Sequence, residues 1–493
     1  MKPQVGDREQ GLVLVVEKSD EASRETPSTE EALTKLAENN DAGGPSLIGR
    51  IVRWADNPFF LALLLFTIYM FPPFAGQGSD AMGNALVSYA LYRGEGLELS
   101  GASGLKPGAA VPYYVVRVPL EKTGGFDPEG GDKLYSGFGV GPGIFAAPFT
   151  FLSSLFMDIR SFGDVFWAMK FASIFGVLLS ALLLRAAFRK FTSANVALLA
   201  MFTYALGTNA YSLAAQELWQ HSPSHLCLTA MIFFIVSAVK NPRFYAAAGC
   251  AAGCAFVMRP VNALVLVVFG FWLLWSNRKH FALFASAALP PVIFQFAYNW
   301  HALGSPLRFG QWAVARQFDA WGGSILDGGL GLLISPSRGL FVFSPIFLLL
   351  LLWLCPSVRA IARKTSAGNL SGTPIFALCL AAALVLYAIM VKRFDWHGGW
   401  SYGPRQILDA VPFLVVLLVP VYESALSVRF QRLMIALLLA ASIFVHGLGA
   451  WCNWYGRTNN WYIEKEFSNH PEVVWSLEDS IIVYYVKNFR LKF

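Results

Sequence analysis

Apolar runs, each close to the length of a bilayer crossing, recur along this chain from Pro58 onward. The first reads FFLALLLFTIYMFPPFA (Phe59 to Ala75). A crossing helix needs roughly 20 mostly apolar residues. Runs of that kind begin near Pro58, Gly139, Asp164, Ala194, His221, Phe244, Val261, Phe281, Leu340, Pro374, Gln406 and Gln431. Charged residues make up only 14% of the 493 positions, against about 25% in soluble domains. The pattern predicts an all-α polytopic membrane protein.

The run at 139–158, GVGPGIFAAPFTFLSSLFMD, carries three Gly and two Pro and stands four residues from the next run. Basic residues decide whether it crosses, because Lys and Arg favour cytoplasmic loops. If it lies along the surface, the inner ends collect Arg50 and Arg53; Arg185, Arg189 and Lys190; Lys240 and Arg243; Arg278 and Lys279; Arg359, Arg363 and Lys364; and Arg429 and Arg432. If it crosses, every cluster after the first faces outward. The expected topology therefore has about 11 transmembrane helices, an inner N-terminus, an outer C-terminus, and 139–158 as a surface-lying or re-entrant helix. Residues 1–50 read as a polar, disordered cytoplasmic tail, and 51–450 as the membrane domain. Within that domain the first outer loop runs over 76–160; residues 451–493 form an outer C-terminal segment.

Several function classes drop out. The net charge of +7 comes from short basic clusters between apolar runs, which is membrane topology rather than a nucleic-acid surface. The six cysteines form no CxxC pair, so spacing predicts neither a disulfide framework nor a zinc site. Gly139, Gly141, Pro142 and Gly143 resemble a phosphate loop only superficially, since no GK[ST] follows and no strand is read before them. No internal repeat marks a secondary transporter. Gly249 and Gly253 make a GxxxG, a helix-packing face.

With this topology the polar residues gather on the outer side. Asp80, in GQGSDAMGNALVSYALYRGE, stands just beyond the first run. It is either a helix N-cap or a general base beside the membrane. Tyr135 opens YSGFGVGPGIFAAP. Glu217 and His221 belong to ELWQHSPSH, where His221 and His225 have i, i+4 spacing but lack the Glu and third ligand of a zinc site. A substrate-orienting role for Glu217 or His221 stays open beside a plain cavity-lining turn. Arg259, Arg338 and Arg405 are outer-face cations, where topology asks for none. They snorkel or bind a phosphate bidentately. Asp409 stands one turn from Arg405 as a ready partner. Lys170, two turns inside the second span, either snorkels or marks a site. Trp300, Trp312, Trp321, Trp396, Trp400, Trp451 and Trp454 suit an interfacial belt, with two or three left over for a sugar face. Trp396 and His397 belong to WHGGWSYGPR.

Taken in order, SDAMGNALVSYALYRGEGLEL, YSGFGVGPGIFAAPF, ELWQHSPSH, MRP, YNWHALGSPLRFG, SPSRGLFVFSP and WHGGWSYGPRQILDAVPF resemble the GT-C superfamily of integral-membrane glycosyltransferases. The likeness is to the bacterial branch related to protein mannosyltransferases and the lipid A aminoarabinose transferase, and it covers roughly residues 50–450. The resemblance implies a shared membrane core with juxtamembrane helices in the first outer loop. It also implies an acid at Asp80, a sugar donor carried on polyprenyl phosphate, inversion at the anomeric carbon, and phosphate-binding bases among Arg259, Arg338 and Arg405. Two departures stand out: Ala81 follows Asp80 where many relatives carry a second acid, and Gln220-His221 replaces an often acidic position. They leave a second carboxylate, and a divalent cation as cofactor, open.

The residues and the resemblance together predict a cell-envelope enzyme of the inner (plasma) membrane, with its active face outward. It would transfer a hexosyl or pentosyl group from a lipid-linked donor to a lipid, glycan or protein hydroxyl. Catalysis would fall to Asp80, and substrate binding to Arg259, Arg338, Arg405, His221, Glu217, Tyr135, Trp396 and His397. A non-catalytic flippase of lipid-linked sugars is the alternative; a ligase using a lipid-linked oligosaccharide changes only the donor.

Overall fold

In hydrocarbon every backbone N–H and C=O must be satisfied within the chain, which is why long apolar runs fold as helices. The computed structural model describes residues 57–72, 79–104, 112, 114–118, 133–310, 321–426, 428–452 and 461–488. The expected tail at 1–50, and with it Arg50, lies outside the described residues, as do Arg53, Trp312 and Trp454. From Pro58 onward the chain forms one unit.

It opens with α1 (Pro58–Met70), α2 (Ser79–Tyr92) and a single turn, α3 (Ser100–Ser103). A hairpin of β1 (Val115–Val118) and β2 (Lys133–Ser136) follows, antiparallel, with Val116 opposite Tyr135. Next come α4 (Gly141–Ser153), α5 (Phe166–Phe188), α6 (Ala194–Leu206), α7 (His221–Ala238), α8 (Phe244–Met258), α9 (Ala263–Ser276) and α10 (Arg278–Leu303). The second half holds α11 (Ile325–Ile334), α12 (Leu340–Phe343), α13 (Pro356–Ala367), α14 (Ile375–Val391), α15 (Val411–Ala425), α16 (Arg429–Cys452) and α17 (Ile481–Asn488). Among the described residues the fold is thus all-α apart from one small hairpin, which the apolar pattern does not announce.

Among the described residues five helices are long and apolar enough to cross a membrane: Phe162–Phe188, His221–Ala238, Arg278–Leu303, Arg405–Ala425 and Arg429–Trp451. The remaining expected spans fall on apolar helices of 10–17 residues, or on the run that begins near Leu340. The sequence predicts a span there. Instead α12 passes into a 3-10 helix, Pro345–Leu354, which meets α13 at 87°. Pro345 and Pro356 sit at the N-termini of the two segments, where a missing N–H is tolerated and the preceding residue is forced out of the helix.

Close backbone approaches lock the helices together. A Cβ at Gly249 would meet the Phe284 carbonyl at 1.9 Å, and one at Gly253 would meet Ala288 O at 2.7 Å. The GxxxG face of α8 therefore seats α10. A Cβ at Gly143 would stand 2.5 Å from Val87, and one at Gly141 would stand 2.5 Å from Val257 O. The Gly–Pro run of 139–158 is thus a helix, α4, pressed onto α2 and α8 at its start; Leu155 and Phe156 beyond its end are exposed.

Buried residues form two clusters. The larger fills the helical body; the smaller joins α2, β1, β2, the start of α5 and the end of α10 through Val87, Tyr135, Met169 and Tyr298. A π-helical turn at Ala210–Ala214 stands between α6 and α7. Such turns recur at functional sites.

Candidate functional site

Segments that lie far apart in sequence, expected on the outer side, meet at one end of the helical body. The turn before α7 brings Trp219, Gln220 and His221. The link between α8 and α9 brings Arg259. The loop after α11 brings Arg338, and the loop after α14 brings residues 395–409. Gln220 Nε2 donates to Phe138 O, which fastens the loop before α4 to the same place.

The three arginines differ in kind. Arg405 is half-buried, and its guanidinium lies 4.6 Å from the centre of the Trp219 ring, a cation–π contact. Its charge acts on Arg259, Arg338, Asp395, His397 and Tyr462. Arg259 is buried and gives Nη1 to Asp409 Oδ2 at 3.1 Å. Arg338 is fully buried. It donates to Ser337 O at 2.7 Å, to Gly399 O at 3.2 Å and to the Tyr462 hydroxyl. The Trp461, Tyr462 and Phe467 rings surround it at 5.5–5.8 Å. The three cations thus converge, but only Arg405 combines charge with exposure. Arg338 was expected to offer itself to a phosphate, and its aromatic cage instead closes over it.

Asp409 was read as a partner for Arg405 one turn away. The structure gives its carboxylate to Arg259 and to His221, whose Nδ1 lies 2.9 Å from Oδ1. His225 Nε2 is 3.0 Å from Leu408 O, and its Nδ1 is 2.8 Å from the Tyr204 hydroxyl. A carbonyl only accepts, so Nε2 carries the proton and Nδ1 accepts from Tyr204. The i, i+4 histidines are therefore tied into one buried network. Among the described residues no three His, Cys, Asp or Glu side chains gather as metal ligands.

The other expected site residues are placed as follows. Tyr135 is buried in β2, edge-on to Tyr298 and His301, in the smaller core. Trp396 is buried because Gly331 of α11 leaves it room; a Cβ there would sit 2.2 Å from its ring. That enclosure removes it from contact with a sugar, whereas Trp400, in the same loop, is 47% exposed. Glu217 acts electrostatically on Lys170. Lys170 does not snorkel: it is 1% exposed and donates to Gln216 Oε1 at 2.7 Å and to Ala215 O at 3.2 Å. It fixes the turn that carries Glu217 and Trp219. Asp80 is in the first turn of α2; its side chain lies outside the described residues. Asn84, one turn further on, donates to Leu218 O at 2.8 Å, and i, i+4 positions share a helix face.

Trp219 and Asp395 were missed. Nothing in the sequence distinguishes Trp219 from the other tryptophans. Asp395 is gripped bidentately by Arg393 at 2.7 and 2.9 Å. Its burial, which alone would raise its pKa, is outweighed by Arg393, and the carboxyl lies below its ordinary range. His397 Nδ1 accepts from the Gly399 N–H at 3.1 Å. Burial, then the Arg338 charge, lowers the His397 pKa to about 4. The ring is therefore neutral at pH 7, with its proton on Nε2.

This sets a pH dependence. The unfolded chain protonates a histidine near pH 6.5, while the folded one resists until about 4. The stability that the neutral ring contributes is complete above pH 6.5 and is lost as pH falls from there toward 4. Thermal unfolding at pH 7.5, 6 and 4.5 is expected to show a smaller acid loss in His397→Gln than in the wild type. Equal losses contradict the buried neutral ring.

Comparison with known proteins adds the following. Residues 147–295, from α4 into α10, match the family model for dolichyl-phosphate-mannose-protein mannosyltransferases. The match bears out the GT-C resemblance over that segment. No curated protein sequence matches the chain. Among solved structures, ArnT from Cupriavidus metallidurans, bound to undecaprenyl phosphate, is 14% identical. Its TM-score is 0.49, over 90% of this chain and 75% of that one. The Archaeoglobus fulgidus oligosaccharyltransferase AglB, in complex with an inhibitory peptide and a dolichol-phosphate, is 11% identical. Its TM-score is 0.45, over 85% of this chain and 59% of that one.

Proposed function

We propose that the chain is an inverting glycosyltransferase that moves a hexosyl or pentosyl group from a polyprenyl-phosphate-linked donor to an acceptor hydroxyl, at the outer face of the inner (plasma) membrane. The observation that carries this reading is Arg405. It is a half-buried guanidinium braced on Trp219, backed by the charges of Arg259 and Arg338, at the end of the bundle where the outer loops meet. The face of α2 that bears positions 80 and 84 is fastened to the same turn.

In this reading Asp80 accepts the proton of the acceptor hydroxyl as its oxygen attacks the anomeric carbon. The bond from that carbon to the phosphate oxygen breaks on the opposite side, and its electron pair leaves with the phosphate. Arg405 stabilises the charge that develops there, and the anomeric configuration inverts. The proton then passes from Asp80 to water. Trp400 offers a face for a sugar ring. His397 offers an Nε2–H donor, and Arg259, neutralised by Asp409, adds field rather than a free contact.

The test is reconstitution with a labelled polyprenyl-phosphate sugar and a hydroxyl acceptor. The expected result is label on the acceptor with polyprenyl phosphate released. Movement of the intact lipid between leaflets without chemical change would establish the flippase alternative in its place. Against that alternative stands the interior of the bundle, where Lys170 and Asp409 are both engaged by neighbours.

A further inference from the structure

The loop that delivers Arg405 holds itself only through short-range bonds, among them Gly398 N–H to Asp395 O at 2.8 Å, Ser401 N–H to Gly399 O at 3.0 Å and Ser401 Oγ to Gly398 O at 3.1 Å. Gly398, Gly399 and Gly403 all have positive φ, from 62° to 77°, conformations that glycine adopts freely and loses most entropy to hold. No regular helix or strand covers residues 397–404. A further set of contacts on this loop comes from the segment that follows α16, beginning with Tyr462. Tyr462 is 1% exposed, and its hydroxyl sits at the centre of the loop. It accepts from the Ser401 N–H at 2.9 Å and from Arg338. Ser401 O at 2.8 Å and Gly399 O at 3.0 Å stand ready to take its proton. Burial raises the phenol above its ordinary pKa, so that proton is retained.

The surrounding segment is seated as firmly. The Tyr462 ring stacks on Trp400 at 5.2 Å and 6°. Phe467 meets His397 edge-on at 5.0 Å, and Trp475 packs on Trp396 at 6.0 Å. Ser335 Oγ donates to Val474 O at 2.7 Å, and the Ile481 N–H donates to Ser337 Oγ at 3.1 Å. Residues 461–481 thus strap together the two outer loops that carry Arg338 and Arg405.

We propose that Tyr462 is a positioning residue, and that the C-terminal segment is the strap through which it holds loop 398–405 so that Arg405 meets its ligand in the correct place. The catalytic consequence rests on the reading of function above; the mechanical one does not. Tyr462→Phe removes the hydroxyl and keeps the stacked ring. Amide hydrogen exchange at Ser401, whose N–H keeps Gly399 O as a second acceptor at 3.0 Å, is expected to speed up by about three- to tenfold, the scale of one lost hydrogen bond. In the transfer assay kcat is expected to fall about 10- to 100-fold, the scale of a misplaced catalytic contact, with the donor KM changing less. Gly399→Ala strains the loop from its own side, at a position with open space around it, and is expected to lower kcat in the same direction. It covers the case in which Tyr462→Phe fails to fold. Unchanged exchange at Ser401, or a loosened loop with unchanged kcat, overturns the proposal. A loosened loop in a protein whose wild type transfers no sugar overturns the functional reading and leaves the strap standing.

Discussion

Asp409→Ala is expected to cost about 3–5 kcal/mol of folding stability, the usual loss when one partner of a buried ion pair is removed. Asp409 is 1% exposed and serves two groups at once, Arg259 at 3.1 Å and His221 at 2.9 Å. Alanine strands a buried guanidinium with no carboxylate opposite it. It also takes away the acceptor that orients the His221 ring. The measurement is the unfolding free energy in detergent. A paired control isolates the cause. In Asp409→Leu/Arg259→Leu no charge is left stranded, and an apolar replacement of a buried pair is often neutral or stabilising. The double variant is therefore expected to recover most of the loss. If it is as unstable as Asp409→Ala, the damage comes from packing, and the account of the network fails.

Asp80→Asn is expected to lower transfer by about 100- to 10,000-fold, the contribution typical of a general base, while leaving expression and chromatographic behaviour unchanged. The substitution separates the two roles open to this residue. Asn and Asp cap helices about equally well, so an Asp80 that only begins α2 survives the change with full activity. An amide cannot take a proton at neutral pH, so an Asp80 that activates the acceptor does not. Asn84 anchors α2 through Leu218 and is untouched, so the helix keeps its seat. Activity within a few-fold of wild type would remove the base from the mechanism.

Much of the scaffold was legible along the chain. A helix in lipid announces itself by a continuous apolar run, and each run from Pro58 to Gln431 became helical. The small-residue pattern at Gly249 and Gly253 named a packing face. The arginines were legible as a group, because the expected topology gives positive charge at those ends no reason to exist. Their separate roles were not. Arg338 reads as a free cation only until Trp461, Tyr462 and Phe467, more than 120 residues further on, close around it. Lys170 reads as a snorkelling lysine until the turn after α6 folds over it.

Hydropathy and the placing of charge are local properties, written residue by residue, and they were enough to establish a multi-pass helical protein with a polar, arginine-bearing end. Pairing is not local. Whether Asp409 answers Arg405, four positions away, or Arg259, 150 positions away, depends on how α7, α8 and α15 cross. The same holds for the strap that shapes the Arg405 loop. Those crossings are decided by side-chain packing summed over the whole bundle, so only the folded chain could assign each charge its partner.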